Sequence, residues 1–539
     1  MIRRIPPLLA ALTLTGCTSM TTTQQHRLGE SMNWASPRDR ELAQIIEQRE
    51  ADWRCGPVVY HVFVDRFAPP SAERLEAKRG LFQPPRKLMA WSDTPARGRR
   101  LPDVGPWSHE LEFWGGDLIS LRENLDHIEN IGADVVYLNP IHAAYTNHKY
   151  DAQDFAAVSP EYGTREDFIA LAEAIHDRSM RLMLDGVFNH MGKTSPAFQE
   201  ALADETSPYR AWFDIDERYR HGYRAWFDAA NLPELSLERP EVRAYIYADD
   251  DAVVRQWLRD GADGWRLDVA YDYGPRLLAE LTEAAHETKR GSWVVGEIWN
   301  YPEEWIPACD GVMNFHLRRI ITWTIQGKCG GAHAGDMIER MVDDVGIDNL
   351  LRCWIVLDNH DTPRLATEYP NEWERRIAQA LQFTLPGSPL VYYGVEAGMT
   401  GGGDPEMRGP MQWDDATPGN PEFDRLALLM QIRSENRALR VGEYRALDAE
   451  HLLAFQRRTD KVEETIFVVV NPTAKPVHEI ISLRASKLMN FSPLRDLLTG
   501  EDVEIRSGLL DVTVPPQTVW ILRPTMPDED RYSPYKRVH

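Results

Sequence analysis

The sequence predicts an α/β chain: a (β/α)8 TIM barrel with a small inserted subdomain after its third strand, followed by a C-terminal antiparallel β-sandwich. Three observations lead there. Eight apolar runs recur before residue 395, helical periodicity fills the stretches between them, and short alternating segments take over beyond about residue 440. The runs are 58–64, 135–141, 181–188, 264–269, 293–299, 311–316, 354–360 and 390–394. Most are apolar without a break, as parallel strands covered on both faces must be. Between them, Leu118, Leu121, Leu125 and Ile128 share one helical face, with Gly132 as a stop signal. Phe168, Ile169, Ala172 and Ile175 repeat the pattern, as do Leu277, Leu278, Leu281 and Ala285. A doubly wound open sheet is the rival arrangement. No glycine-rich phosphate fingerprint follows the first run, so a nucleotide role for such a sheet lacks support.

Between His190 and a helix near Pro240 lie about fifty residues rich in Tyr, Trp, Asp and Arg, a length that marks a functional loop or small subdomain. The expected organisation is a signal over 1–17, a tether and N-terminal helix over 18–55, and a barrel over 56–437. The insertion occupies about 191–239, the sandwich 438–524 and a polar tail 525–539. The last barrel helix is expected at about 423–436. Sandwich strands are expected at 452–457, 465–470, 477–482, 511–514 and 518–522.

A length of 539 residues exceeds one ordinary core, in keeping with a barrel plus a module. Acidic side chains outnumber basic ones, for a net charge of −23. Such a surface repels phosphate backbones and anionic headgroups, which argues against nucleic acid as a partner. The 17 tryptophans and 19 tyrosines suit stacking on sugar rings, although core filling uses the same side chains. Arg3 and Arg4 precede a short apolar stretch, 5–13, and then Leu14-Thr15-Gly16-Cys17. That stretch is too short to span a bilayer and reads as an export signal. It resembles a bacterial lipoprotein signal, which implies that Cys17 becomes the acylated N-terminus. Thr18 in place of Asp then implies the outer membrane, on its periplasmic or cell-surface face. An ordinary cleaved signal with an incidental cysteine is the alternative. Cys55, Cys309, Cys329 and Cys353 allow three disulfide connectivities or buried free thiols, and none has metal-site spacing.

The ends of the runs carry the chemistry. The third ends Asp185-Gly186-Val187-Phe188-Asn189-His190 and the fourth reads Gly264-Trp265-Arg266-Leu267-Asp268. The fifth delivers Gly296-Glu297-Ile298-Trp299 and the seventh Asp358-Asn359-His360-Asp361. Charges at a buried rim are costly unless they act. In a barrel of this kind the C-terminal strand ends gather at one face, so three carboxyl groups there can surround one scissile bond.

These four segments resemble the signature regions of the α-amylase family of glycoside hydrolases, in the same order. Further pieces resemble its cyclomaltodextrinase and neopullulanase branch: Tyr60-His61-Val62-Phe63-Val64-Asp65-Arg66-Phe67, Trp114-Gly115-Gly116-Asp117-Leu118, Asn147-His148-Lys149-Tyr150-Asp151 and Asn359-His360-Asp361-Thr362-Pro363-Arg364. The resemblance implies that Asp268 is the nucleophile, Glu297 the acid and then base, and Asp361 the third carboxylate, which stabilises the transition state. A retaining pair needs carboxyl groups roughly 5–5.5 Å apart, and neighbouring strands at ~4.8 Å can supply that. Glu297 should hold its proton against an apolar wall or a negative neighbour. Trp299 is the candidate wall or, instead, a sugar-stacking platform. Arg266, two residues before Asp268, projects to the same side of its strand and should keep the nucleophile ionised. By resemblance again, Tyr150 stacks on the sugar in the cleavage subsite, His190 and His360 hydrogen-bond it, and Asp404 and Arg408 bind the next glucose outward.

Two departures from the family bear on cofactors and substrate. Asn189 matches a structural-calcium ligand, but Leu232-Pro233-Glu234-Leu235 carries Glu where relatives have Asp, and Asp272 stands where some have His. No cofactor is required, and calcium on Asn189 and Glu234 is a candidate. Only about forty residues separate Cys17 from the first run, too few for the N-terminal β-domain of the branch. A more open cleft that admits longer linear dextrins is therefore expected. The expected activity is retaining hydrolysis of α-1,4 bonds in maltodextrins, starch fragments or cyclodextrins. Transglycosylation through the same carboxylates, or glucan binding without catalysis, are the alternatives.

Overall fold

The computed structural model of the protein describes residues 36–101, 105–485 and 487–525. Cys17 with the rest of the export signal, the start of the tether and the tail from Met526 lie outside them. Eight strands, β1 (Val59–Val62), β2 (Val135–Leu138), β3 (Arg181–Gly186), β4 (Gly264–Leu267), β5 (Trp293–Gly296), β6 (Gly311–Val312), β7 (Trp354–Val356) and β8 (Ser388–Tyr392), form one parallel sheet. Their order is β6-β5-β4-β3-β2-β1-β8-β7, and a parallel bridge from Met313 to Trp354 brings the two ends together. This is the barrel the sequence predicts.

All eight strands stop short of the C-terminal bounds predicted for them, because the residues that follow leave the ladder to form the barrel rim. The sharpest difference is at β6. Asn314 accepts a hydrogen bond from the Leu317 amide and starts a helix at Phe315, so Phe315 and His316 are helical rather than extended. The helix predicted across Leu118–Ile128 is two, Leu118–Glu123 and Leu125–Ile131, parted at Asn124, and Gly132 ends the second with φ 96°. In α1 (Arg165–Asp177) the buried face is Phe168, Leu171, Ala172 and Ile175, with Ile169 at its margin.

Alternation sorts the barrel side chains into two sets. Val59, Val135, Met183, Trp293, Val295, Trp354, Val356 and Leu390 form one cluster inside, while Tyr60, Val62, Val136, Leu138, Leu182 and Leu184 pack outward on the helices. Indoles plug the interior: Trp293 meets Trp354 edge-on at 5.8 Å, and Trp53 meets Trp293 at 5.5 Å. Gly264 lets β5 approach β4 closely, since a Cβ there would lie 2.2 Å from the Trp293 carbonyl oxygen. Towards the C-terminal ends of the strands the buried inward positions turn polar, with His61, Asp185 and Arg266.

The insertion is short-range structure around a helix, Pro196–Ala203, whose Phe198 ring packs on Phe213 and Tyr223 at 4.9 and 4.7 Å. Bridges His190–Glu234, Phe213–Leu235 and Ala225–Pro233 fold it back over the barrel mouth.

Eight further strands follow the barrel: β9 (Glu443–Ala446), β10 (Leu453–Arg458), β11 (Ile466–Asn471), β12 (Val477–Ser482), β13 (Pro493–Asp496), β14 (Asp502–Glu504), β15 (Leu509–Val514) and β16 (Thr518–Pro524). Six make an antiparallel sheet, β9-β10-β11-β16-β13-β14, and β12 pairs with β15 as a second layer. Phe467, Val469 and Leu522 pack on the second layer, and Val468, Val470 and Ile521 on the barrel. Three strands, β9, β13 and β14, have no counterpart in the sequence expectation. They are three or four residues long and largely polar, so no apolar alternation marks them. Cys55, Cys309, Cys329 and Cys353 are all buried free thiols.

Arg457 joins sheet to barrel. It is fully buried, and its guanidinium donates to the carbonyls of Thr384, Leu439 and Gly442 at 2.7, 3.0 and 2.9 Å, at or near the ends of two helices. Replacing Arg457 by Met strips those carbonyls of their donor. Urea unfolding is expected to show a loss of about 2–4 kcal/mol.

His142 tests the core differently. It is fully buried among Phe155, Trp257 and Trp265, neither ring nitrogen finds a partner among the described residues, and burial pulls it down to about 3. The unfolded chain therefore binds the extra proton first, and stability falls as pH drops below the ordinary histidine value. Between about pH 7 and pH 5, His142→Phe should lose less stability than the natural protein, read from urea midpoints.

Candidate active site

The inward positions of β3 and β4 place Asp185 beside Arg266 in register. Two residues further, the Asp268 amide donates to the Gly186 carbonyl at 3.0 Å, and the Glu297 amide donates to Leu267 at 2.9 Å. Backbone bonds of the barrel thus continue past the strands and set both carboxyl groups on its rim. Beneath them lies Arg266, fully buried. Its Nη1 donates to Asp185 Oδ1 at 2.8 Å and Asp268 Oδ1 at 3.0 Å, and its Nη2 stands 2.9 Å from Glu297 Oε2. Asp185 Oδ2 also accepts from the hydroxyls of Tyr137 and Tyr150, at 2.6 and 2.7 Å.

Glu297 is held at both oxygens. Oε2 accepts from the Val269 amide at 3.1 Å and Oε1 from the Trp299 indole at 3.1 Å. Val269 has φ 50° and ψ 37°, a left-handed conformation that costs a β-branched residue about 1–3 kcal/mol. That strain aims its N–H at Glu297. Trp299 is a correction to the sequence reading: it meets Glu297 through a polar N–H rather than as an apolar wall. Its ring lies parallel to Phe315 at 3.7 Å and stays half-exposed, which leaves the platform role open to it.

Asp361, past the end of β7, completes the set. Its Oδ2 lies 3.0 Å from His360 Nε2 and its Oδ1 3.1 Å from Arg408 Nη2. Burial pushes its carboxyl up, but His360, Arg408 and Arg266 outweigh that and hold it well below the usual carboxylate range. Asp268 goes the other way. Burial raises it, Arg266 opposes, and Glu297, Asp185 and Asp361 add to the rise. Arg266 divides one positive charge among three carboxyl groups, so it does not simply keep Asp268 ionised as expected from sequence.

Asp268, Glu297 and Asp361 line one cleft of about 720 Å³, together with Tyr150, His190, Trp299, His360, Asp404 and Arg408. Of the residues the sequence places at the reacting centre, all but one line it. The exception is Arg266, which is fully buried under the carboxyl groups and does not line the cleft. Tyr150 lies parallel to His360 at 5.2 Å, and its hydroxyl is 2.6 Å from His360 Nε2. His190 stacks on Trp226 at 5.4 Å; burial brings it down to about 3, so it is neutral, and its Nε2 has no partner among the described residues. Asp404 pairs with Arg408 at 3.0 Å. Glu110, Phe227 and Tyr271 also line the cleft and have no place in the sequence reading, and His148, quoted there only within a motif, lines it too. Phe227 sits in the long insertion, whose aromatic content was the only hint, and Tyr271 in the first turn of the helix that follows β4.

Asn189, Glu234 and Asp272 border a separate polar cavity of about 280 Å³. Arg224 enters it as well, with Nε 2.7 Å from Glu234 Oε2, so a guanidinium already supplies the positive charge there. Glu234 does not fit as a calcium ligand in that pairing.

The sequence model described as alpha amylase, catalytic domain, matches residues 61–464. The chain is 32% identical over 432 residues to a cyclomaltodextrinase of Geobacillus thermopakistaniensis, covering 76% of this chain and 71% of the relative. It is 30% identical over 488 residues to neopullulanase 2 of Thermoactinomyces vulgaris, covering 87% and 78%. Among solved structures, the cyclic α-maltosyl-(1→6)-maltose hydrolase of Arthrobacter globiformis in complex with that sugar superposes with a TM-score of 0.73 at 27% identity, covering 87% of this chain and 99% of the other. Barrel, rim carboxyl groups and sequence kinship agree, and the chain belongs to the α-amylase family of glycoside hydrolases.

Proposed function

We propose that the protein is a retaining α-glucan hydrolase that cleaves α-1,4 bonds in maltodextrins, starch fragments or cyclodextrins. The observation that carries this reading is that Asp268 and Glu297 grip opposite terminal nitrogens of one buried guanidinium while Asp361 lines the same cleft. Asp268 attacks the anomeric carbon as the glycosidic C–O bond breaks, and Glu297 gives its proton to the leaving oxygen. Water then attacks the glycosyl-enzyme, Glu297 takes a proton from it, and the Asp268–carbon bond breaks. The negative charge that His360 and Arg408 hold on Asp361 faces the oxocarbenium-like transition state. The chemistry requires the proton on Glu297, with Asp268 ionised, when the leaving oxygen arrives.

Exposed rings suit a sugar on the leaving side: Phe227, Tyr271 and Trp299 all stand at the cleft. The same rings can hold an incoming sugar hydroxyl in place of water, which favours transglycosylation as a second reading.

Asp268→Asn should lower turnover of starch, pullulan and β-cyclodextrin by at least about 10³-fold while its melting temperature and glucan binding hold. A variant with most of its activity would overturn the nucleophile assignment. Products from maltotriose separate the two readings: chains longer than the starting sugar mean transfer.

We also propose export and a lipid anchor on Cys17. Arg3, Arg4, the apolar stretch 5–13 and Leu14-Thr15-Gly16-Cys17 support it, and no described helix is long and apolar enough to cross a membrane. In a bacterial host fed labelled palmitate, the natural chain should take up label and Cys17→Ser should not.

A further inference from the structure

Asp404 is held at both carboxylate oxygens. Arg408 Nη1 lies 3.0 Å from Oδ1, and His109 Nε2 lies 3.1 Å from Oδ2. Arg408 is near in sequence, but His109 comes from a segment that precedes β2. It is buried, whereas Asp404 is 40% exposed and faces the cleft.

The proton on His109 has a defined place. Its Nδ1 accepts from the Gly98 amide at 3.0 Å, so the neutral ring carries its hydrogen on Nε2, aimed at Asp404. Only glycine allows that approach: a Cβ on residue 98 would lie 2.2 Å from Ser108 Oγ and 2.8 Å from the His109 nitrogen. The surrounding backbone is laced like a hairpin. The Ser108 amide donates to the Arg99 carbonyl at 2.8 Å, the Arg99 amide to Ser108 Oγ at 3.1 Å, and the Leu101 amide to Pro106 at 2.9 Å. Asn147 ties this hairpin to the turn that presents Tyr150, donating through Nδ2 to the His109 carbonyl at 2.8 Å and through its amide to Glu110 at 2.8 Å.

His109, Glu110 and Asp404 have ligand atoms within 4.8 Å of one another, a spacing a metal ion would also accept. Ligation through Nε2 needs the lone pair there and the hydrogen on Nδ1. Nδ1 faces the Gly98 N–H, a donor, and cannot carry it without a clash of hydrogens. The contact is a hydrogen bond.

We infer that His109 is a positioning residue: it fixes the orientation of Asp404 for a sugar unit bound outward of the scissile bond, and His109 with its Gly98 support thereby sets preference for longer chains. The inference rests on the α-glucan hydrolase reading. Without His109 the Asp404 carboxylate is free to swing fully onto Arg408 as a two-point pair, with no oxygen left square to the cleft. The loss falls on substrates that reach this site and spares those that do not.

The test is kcat and KM for maltohexaose and for 4-nitrophenyl α-glucoside in His109→Ala, His109→Gln, Asp404→Ala and the His109→Ala/Asp404→Ala double variant. His109→Ala should raise KM for maltohexaose about tenfold, with kcat within twofold and the short substrate nearly unaffected. His109→Gln, whose amide N–H reaches the same region, should recover part of the loss. In the Asp404→Ala background, removing His109 should cost nothing more. Equal losses on both substrates, losses that multiply in the double variant, or no loss at all would each overturn the inference while leaving the hydrolase reading intact. So would a melting temperature that climbs with added zinc in the natural protein and not in His109→Ala. A natural protein that cleaves neither substrate overturns the hydrolase reading, and the inference with it.

Discussion

One buried guanidinium organises the barrel mouth. Arg266 touches Asp185, Asp268 and Glu297, each from a different stave or its tip, with no exposure to water. A lone ion in that position would cost several kcal/mol, and so would any of its partners without it. Together they form a network in which each group fixes the next. Tyr137 and Tyr150 complete Asp185, and Val269 and Trp299 complete Glu297. Charge and orientation are set before substrate arrives, which is the arrangement that makes electrostatic catalysis effective.

The barrel supports this network by dividing its interior in two. Indoles and branched side chains fill the lower part, with Trp53, Trp293 and Trp354 edge to face. The same alternation, carried a few residues further along each strand, brings His61, Asp185 and Arg266 inward. An apolar floor keeps water away from the ion network above it. Outward along the cleft the pattern becomes one of carboxylates met by imidazoles: Asp361 by His360 at 3.0 Å, Asp404 by His109 at 3.1 Å, and Glu110 by His148 at 3.6 Å. Arg408 bridges the first two. Burial raises Asp404, yet Arg408 and His109 hold it well below the usual range, so this flank of the cleft stays negative.

Much of this was legible in the chain because barrel topology turns sequence position into place. A polar residue just after an apolar run must lie on the C-terminal rim. That rule alone locates Asp268, Glu297, Asp361 and His190, and the structure brings them to one cleft. It fails where a side chain acts through something non-local. His109 lies 295 positions from Asp404, and no periodicity or motif connects them. Trp299 was read by the face of its ring, and its indole N–H also reaches Glu297. Arg266 was read as the partner of one carboxyl group and serves three. The strands β9, β13 and β14 escaped because their pairing comes from the sheet around them rather than from apolar alternation of their own.

The sequence by itself determined the eight staves, the sandwich behind them and which carboxyl groups stand on the rim. Those follow from local hydrophobic spacing and from the alternation of apolar runs with helical stretches. Tertiary structure alone decided how charge is shared among those groups, which ring nitrogen of His109 carries its proton, and that Arg224 stands beside Glu234. Such outcomes depend on distances of a few ångströms between segments far apart in the chain. Composition and spacing carry no record of them, because they arise only when folding brings those segments into contact.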